Sequence, residues 1–427
     1  MEKSDRKFHY EWVIITLCFL MIFTCLGFCS SNNSLYVQAI TRANGFPRSL
    51  FGFKESFRFI STAVVNVFFG ALIKRFGAKK LIIAGFLCHI SAMLTYSFAT
   101  ELFHFYIGAT LLGVGMALTT TGMVGLVVRK WVRKNQGTVM GAVLAANGLG
   151  GAVAAPLVTP FIDDPSNAFG YRNAYLLVAA ILGVLMLLMI LFFRNEPKEK
   201  AAAPAMKKKK RGGDWVGVTF KEVLRKPYFY VAIVLTFFTG LILQSINGIA
   251  ITHMKDVGMS PEFTAMIAGI ASLALAGFKF LTGLIYDRTG LRVTMTICYC
   301  AEILLMGALF FIALTPMGYV SAFAYTILSS MALPLETVML PILTGELFGQ
   351  KDYPKLLGIV IAANTAGYAL GAPLTGLSFD VFGNYKPVFI IGAVLSAAIL
   401  IIVQFNLSSA SKLRSEVESR QSEMGRP

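Results

Sequence analysis

Few ionisable side chains sit inside the long apolar runs of this 427-residue chain, where a charge has few reasons to be, and Arg58, Lys279, Glu302 and Glu336 are among them. A charged group at the centre of a lipid-spanning helix costs about 2.5–3.5 kcal/mol even on lenient insertion scales, so each one calls for a partner or a task. Lys279 is a single ammonium in an otherwise apolar stretch. It can attract an anion, or its stem can snorkel to the interface about two turns away. Lys54 and Arg58 share a helix face at i, i+4, and Glu55 reaches Arg58 at i, i+3. Lys54 is near enough to the outer surface to snorkel, whereas Arg58 falls near mid-membrane. The Glu55–Arg58 pair either fixes an interface with the eleventh span or leaves Arg58 as a second cation for an anion. Together with Lys279 it would suit a diacid. Glu336 lies between Pro334 and Pro341, where a broken backbone often lines a pathway, and is the carboxylate expected to couple proton movement. Glu302 reads as a peripheral polar contact.

The elements that must position these groups are set by composition. Hydrophobic residues make up 56% of the chain and charged residues 14%, with a mean hydropathy of +0.68; ordinary soluble domains carry roughly 25% charge. A bilayer is the solvent this implies, which excludes soluble enzymes and nucleic-acid readers. The net charge of +16 is topological, because its Lys and Arg cluster in alternate connections, as on cytoplasmic loops. The six cysteines lie within apolar runs without metal-ligand spacing and read as small core residues. The N-terminus enters its first run at Trp12 with no cleavage signal, as a retained span.

Runs of about 17–25 apolar residues predict spans at 12–37, 49–72, 80–99, 103–128, 138–161 and 172–193, then 228–251, 262–286, 293–313, 317–345, 355–378 and 385–406. The fold class is therefore all-α membrane protein, twelve helices in two pseudo-symmetric bundles. The predicted division is an N-terminal bundle at 1–193, a cytoplasmic basic linker at 194–227 with a cationic run at 207–211, a C-terminal bundle at 228–406 and a cytoplasmic tail at 407–427. A short surface helix is expected to begin near Asp214 and Trp215 and lead into the seventh span. Residues 141–157 and 358–374 are identical at 10 of 17 positions with a constant offset of 217, pairing Asn147 with Asn364 and Gly150 with Gly367. A second pair, 70–79 and 283–292, has an offset of 213 and aligns Gly77 with Gly290. Spans two and five thus repeat as spans eight and eleven.

The twelve-span layout, the basic linker and the motif GxxxDRxGxR at Gly283, Asp287, Arg288, Gly290 and Arg292 resemble the major facilitator superfamily over nearly the whole chain. The first copy of the motif has Lys74 where that family has Asp. The stretches 9–14, 220–229 and 384–389 resemble the oxalate–formate antiporter and bacterial monocarboxylate transporter group. That resemblance implies that Lys279 stands where the group places a basic residue, usually Arg, on the substrate carboxylate. It also implies that Asp287 and Arg288 take part in coupling or gating. Spans one, four, seven and ten would face a cavity, making Asn33, Thr120 and Gln244 candidate wall residues. Asn147, Asn364 and Tyr368 would orient the substrate, the two amides serving equally well as interhelical links. Asn364 replaces a Lys found in the oxalate antiporter, and Leu275 stands where animal monocarboxylate transporters have an Asp, so proton symport and anion exchange both stay open.

The expected function is secondary transport of a small organic anion, a mono- or dicarboxylate, by alternating access at a midplane site, driven by protons or a counter-anion. No catalytic residue, metal, cofactor or nucleic acid is expected, and no GxxxxGK[ST] phosphate loop is present. The protein is expected to be a monomer in the plasma membrane with both termini cytoplasmic. Alternatives are a carrier for a neutral solute or drug and a transporter-like membrane sensor.

Overall fold

A computed structural model describes residues 2–31, 33–46, 48–132, 134–162, 167–195 and 217–424. The described residues contain helices and no strand. By contact density the chain divides into two compact units, Met1–Ala202 and Ala203–Pro427. Ten segments of the described residues are long and apolar enough to cross a membrane. One of them, Leu50–Ser97, holds 48 residues and contains two predicted spans. The eleventh predicted span is the helix Tyr353–Phe382.

The connections are shorter than the sequence suggested. Spans two and three form one helix, Arg48–Ser97, broken only at Gly77 with φ 76° and ψ 164°. Spans eight and nine, Pro261–Thr289 and Leu291–Phe310, are likewise separated by Gly290 alone, φ 85° and ψ 176°. These are the two glycines aligned by the 213-residue repeat, and both take a positive φ that side-chain-bearing residues rarely adopt. Each break is tied to its own unit: Asn195 Oδ1 accepts from the Lys79 N–H at 2.7 Å, and Arg292 donates to Ser408 Oγ at 2.7 Å.

Three predicted spans are interrupted. The first runs as Glu2–Ile22, continues as a π-helical turn Phe23–Phe28, and resumes after a bend as Asn33–Asn44. The fourth breaks at Thr120, where φ −112° and ψ −140° divide Leu102–Thr119 from Thr121–Trp131. The tenth runs as Pro316–Ala332, the π-helical Leu335–Met339 and Leu340–Phe348. Pro334 and Pro341 flank that turn; proline lacks the N–H and crowds the carbonyl four residues back, which favours a local change of winding. The predicted tail, 407–427, is helical as far as Met424, within the last helix Lys386–Met424.

Burial ranks the helices within each unit. Of the best apolar window, 78% is buried in Leu102–Trp131 and 72% in Pro316–Phe348, against 33% in Tyr171–Phe192 and 28% in Lys386–Ser409. The fourth and tenth spans are therefore interior, and the others present faces carrying Phe98, Leu191 and Phe405 to lipid.

The repeat extends to packing. A Cβ on Gly150 would lie 2.0 Å from the Phe23 carbonyl oxygen, and one on Gly367 would lie 2.2 Å from that of Phe237. Their opposite numbers are Gly27, whose Cβ would stand 2.6 Å from Gly150 Cα, and Gly240, whose Cβ would stand 2.3 Å from the Asn364 carbonyl oxygen. In both units, then, the first and fifth helices of the bundle meet backbone to backbone.

The cationic run at 207–211, Asp214 and Trp215 lie outside the described residues. The short helix leading to the seventh span is Phe220–Val223, begun by a capping box: the Thr219 N–H donates to Glu222 Oε2 at 2.6 Å, and the Glu222 N–H returns to Thr219 Oγ1 at 3.4 Å. The Phe220 N–H donates to Asp352 Oδ2 at 2.7 Å, and Lys355 Nζ stands 3.5 Å from the Phe220 ring centroid. This helix is therefore pinned to the connection before Tyr353–Phe382. The bonds from Thr219 hold the Glu222 carboxyl below the usual carboxylate range. A lowered carboxyl pKa means the cap is complete above the ordinary value, about 4.3, and is lost as pH falls through the lowered one. A carbon-13 titration should show Glu222 with a midpoint below that of a free Glu, and Thr219→Ala should move it upward; an unshifted midpoint would contradict the cap.

Candidate functional site

In the second unit the structure brings together three residues singled out by the sequence. Lys279, on Pro261–Thr289, is 3% exposed, so its ammonium is buried among side chains rather than snorkelling outward. Glu336 is buried on the π-helical turn, and the Tyr368 hydroxyl donates to its Oε2 at 2.8 Å. Its other oxygen, Oε1, has no hydrogen-bond partner among the described residues. Lys279 and Glu336 interact electrostatically. The helices that carry them are joined about two turns away, where Ser330 Oγ donates to the Ala271 carbonyl oxygen at 3.2 Å. Spans eight, ten and eleven thus converge on a buried cation, a carboxylate and a phenol. The wound turn places Glu336 where a regular helix from Pro316 onward would have rotated it elsewhere.

Glu302 is fully buried, beside Cys298 and Tyr299, and is interior rather than peripheral. A single Glu in an amphipathic run gives no hint of which face it occupies until neighbouring helices are placed. A cavity of about 420 Å³ in this unit lies between Pro227–Asp256, Tyr353–Phe382 and Lys386–Met424 and is lined by apolar groups such as Phe238, Leu374 and Ile391. It lies apart from the charged cluster.

The two amides paired by the repeat occupy matching positions. Asn147 Oδ1 accepts from Ser31 Oγ at 2.7 Å, linking the fifth helix to the first. Asn364 Nδ2 donates to the Thr236 carbonyl oxygen at 3.1 Å, linking the eleventh to the seventh. Both amides serve the seams made by Gly27–Gly150 and Gly240–Gly367. Thr120 sits at the break in the fourth span and donates to the Met116 carbonyl oxygen at 2.7 Å. Gln244 is half-buried on Pro227–Asp256. Asp287 is half-buried and Arg288 exposed at the last turn before Gly290. The side chain of Asn33 lies outside the described residues.

In the first unit Arg58 pairs with Glu55 at 2.5 Å, as the spacing predicted, and its Nη1 donates to Ser30 Oγ at 2.6 Å. The pair therefore fastens the second span to the first and lies 3.8 Å from the sulfur of Met116 on the fourth. Lys54 corrects the expectation of snorkelling. It is 2% exposed, with Nζ 4.4 Å from the Phe51 ring centroid and 5.6 Å from that of Tyr96. Two aromatic faces substitute for water around the ammonium. Tyr96 in turn packs on Tyr175 at 5.1 Å, and Tyr175 stacks on Tyr36 at 4.3 Å. This tyrosine group was illegible in the sequence, because its members are dozens of residues apart in runs already rich in aromatics.

Long apolar helices, lipid-facing outer surfaces and buried charges define an α-helical, multi-pass membrane protein. The family model described as Major Facilitator Superfamily matches residues 17–341, and the chain belongs to that superfamily of transporters. Monocarboxylate transporter 13 of Bos taurus is 30% identical over 333 residues, covering 77% of this chain and 73% of that protein. The sialic acid transporter NanX of Escherichia coli (strain K12) is 20% identical over 354 residues, covering 82% and 83%. Among solved structures, the proton:xylose symporter XylE superposes with a TM-score of 0.71 at 13% identity, covering 94% of this chain and 96% of that one. The helical fold expected from the sequence is that of the superfamily.

Proposed function

We propose that the protein is a secondary transporter for a small organic anion, a mono- or dicarboxylate, working by alternating access. The observation that carries this reading is the buried ammonium of Lys279 in electrostatic reach of Glu336: a cation in a membrane protein's interior, whose neighbouring carboxyl can be neutralised by a proton, favours an anionic ligand over a neutral one. The names of two relatives, a monocarboxylate and a sialic acid transporter, both denote carriers of organic acids. Lys279 supplies the main attraction as a point charge, without the two-pronged fork of Arg. Tyr368 orients the anion through its bond to Glu336, and Asn147 and Asn364 hold the helices that carry the site. Arg58, on the second span, is a further positive charge, which favours diacids.

Glu336 is the group that moves a proton with the anion, since its Oε1 is left without a hydrogen-bond partner among the described residues. Asp287 and Arg288 gate from the end of the eighth span, while Asn33, Thr120 and Gln244 border the path. The bundles extend over 1–193 and 228–406, joined by the 194–227 linker, in a plasma-membrane monomer with both termini and the 407–427 tail cytoplasmic.

The test is uptake into proteoliposomes of labelled lactate, formate and oxalate beside xylose and other neutral sugars. Accumulation of one or more acids, with sugars at background, is the expected result. Transport of a neutral solute with every acid at background would defeat the organic-anion reading and leave a neutral-solute carrier, the reading that the fold likeness to XylE accommodates.

A further inference from the structure

The cavity of about 420 Å³ in the second unit is walled by Pro227–Asp256, Tyr353–Phe382 and the last helix, and Met306 of Leu291–Phe310 also lines it. Its lining is almost wholly carbon, the polar exceptions being Ser245, Thr375 and Ser378. Ser245 Oγ already donates to the Leu241 carbonyl oxygen, and Ser378 Oγ to that of Asn384. An ordered water needs two to four polar partners, so this space does not suit water. Left empty, it would forfeit dispersion contacts along every wall. A side chain at position 392 would fill part of it, since a Cβ on Gly392 would stand 3.1 Å from Met306 Sδ.

The cavity opens outward. Leu377, Val381, Phe382 and Ile391 on its lining are each more than half exposed, and Ile391 belongs to the membrane-crossing segment Lys386–Ser409. On the outer faces of such helices the surrounding medium is hydrocarbon. The body at hand to fill an apolar space opening there is a lipid tail. A tail gains little from leaving one hydrocarbon environment for another, so what holds one lipid in place must be its head group.

A cation stands at one end of the groove. Lys386 is exposed, begins the last helix and directly precedes Pro387 and Val388 of the lining. Its ammonium lies 5.2 Å from the ring centroid of Phe310, one turn beyond Met306. Apolar wall and terminal cation match the two parts of a phospholipid, a hydrocarbon chain and a phosphate.

We propose that this groove is a binding site for one membrane phospholipid, with an acyl chain between the eleventh span and the last helix and the head-group phosphate against Lys386. The site goes beyond the transport reading, because it lies apart from Lys279 and Glu336 and makes no demand on the cargo. An occupied groove gives the eleventh span, which carries Tyr368, and the seventh, which carries Ser245, a lipid as part of their packing.

The experiment is native mass spectrometry of the full-length protein released from detergent micelles, after addition of dioleoyl phosphatidylglycerol or of dioleoylglycerol, which has the same tails and no phosphate. One phosphatidylglycerol retained per chain, with dioleoylglycerol largely lost, is the expected result. Lys386→Ala should weaken retention about fivefold, the worth of one Lys toward an anionic lipid. Leu395→Trp, inside the groove, and Ile391→Trp, at its exposed mouth where a larger side chain does not threaten the fold, should each reduce it further. Val394→Trp is the control, on the same helix, 65% exposed and not part of the lining, and should leave it unchanged. No retained lipid, equal retention of dioleoylglycerol, or retention untouched in both Leu395→Trp and Ile391→Trp would overturn the proposal.

Discussion

Replacing Lys279 with Ala is expected to remove carboxylate binding and transport together. The ammonium is buried next to Glu336, and truncating one member of a buried charge pair costs about 2–5 kcal/mol. At about 1.4 kcal/mol per decade, the loss in apparent affinity should be at least roughly 30-fold. Lys279→Arg should restore most of it, because charge is kept and a planar fork of paired N–H donors is gained. The readout is the thermal shift produced by each acid in detergent, beside initial uptake rates in proteoliposomes. A Lys279→Ala protein that still responds to the same acids at wild-type concentrations would remove this residue from the site. Parallel work on Arg58→Ala separates the cargo classes: a response lost only in Lys279→Ala marks a monoacid, and loss in either variant marks a diacid.

The second large effect is expected at the glycine seams. Gly150→Ala and Gly367→Ala each place a methyl group on a backbone carbonyl, at 2.0 Å and 2.2 Å, where no rotamer change can relieve the contact. Overpacking of this kind costs about 1–3 kcal/mol, and because the clash is with main chain the upper end is expected. Either variant should lower Tm by several degrees and transport by about tenfold or more. Gly183→Ala is the control: a Cβ there meets nothing within 4 Å, and alanine is the better helix former. If all three behave alike, close approach of the backbones is not what those glycines provide.

Much of this architecture could be read from one chain. Span number, the internal repeat, the half-buried Arg58 and the buried Glu336 follow from hydropathy and from the expense of charge in lipid. The repeat also told more than similarity, since its aligned glycines take the same positive φ and make the same close contacts. The Glu55–Arg58 pair follows from helical spacing alone. Other features were hidden for physical reasons. Helix ends within one apolar run carry no polar signal, so the single-residue breaks at Gly77 and Gly290 read as loops. The π-helical turns depend on how prolines are accommodated by neighbours. Lys54 was misjudged because distance along a span says nothing about whether an aromatic pocket waits beside it, and Glu302 because a lone acid does not announce its helix face.

The breaks at Gly77 and Gly290 carry a mechanical consequence. A loop of several residues behaves like slack rope: one helix can tilt or turn while its neighbour stays still. A junction of one residue has no slack, so the flanking helices form a crank whose arms must turn together. Asn195, just beyond Tyr171–Phe192, and Ser408, on Lys386–Met424, fasten the base of each crank within its own unit, giving the motion a fixed bearing. Reporter tags or epitope insertions at 77 or 290 would cut the crank, whereas the same insertion in a longer connection would merely lengthen a rope.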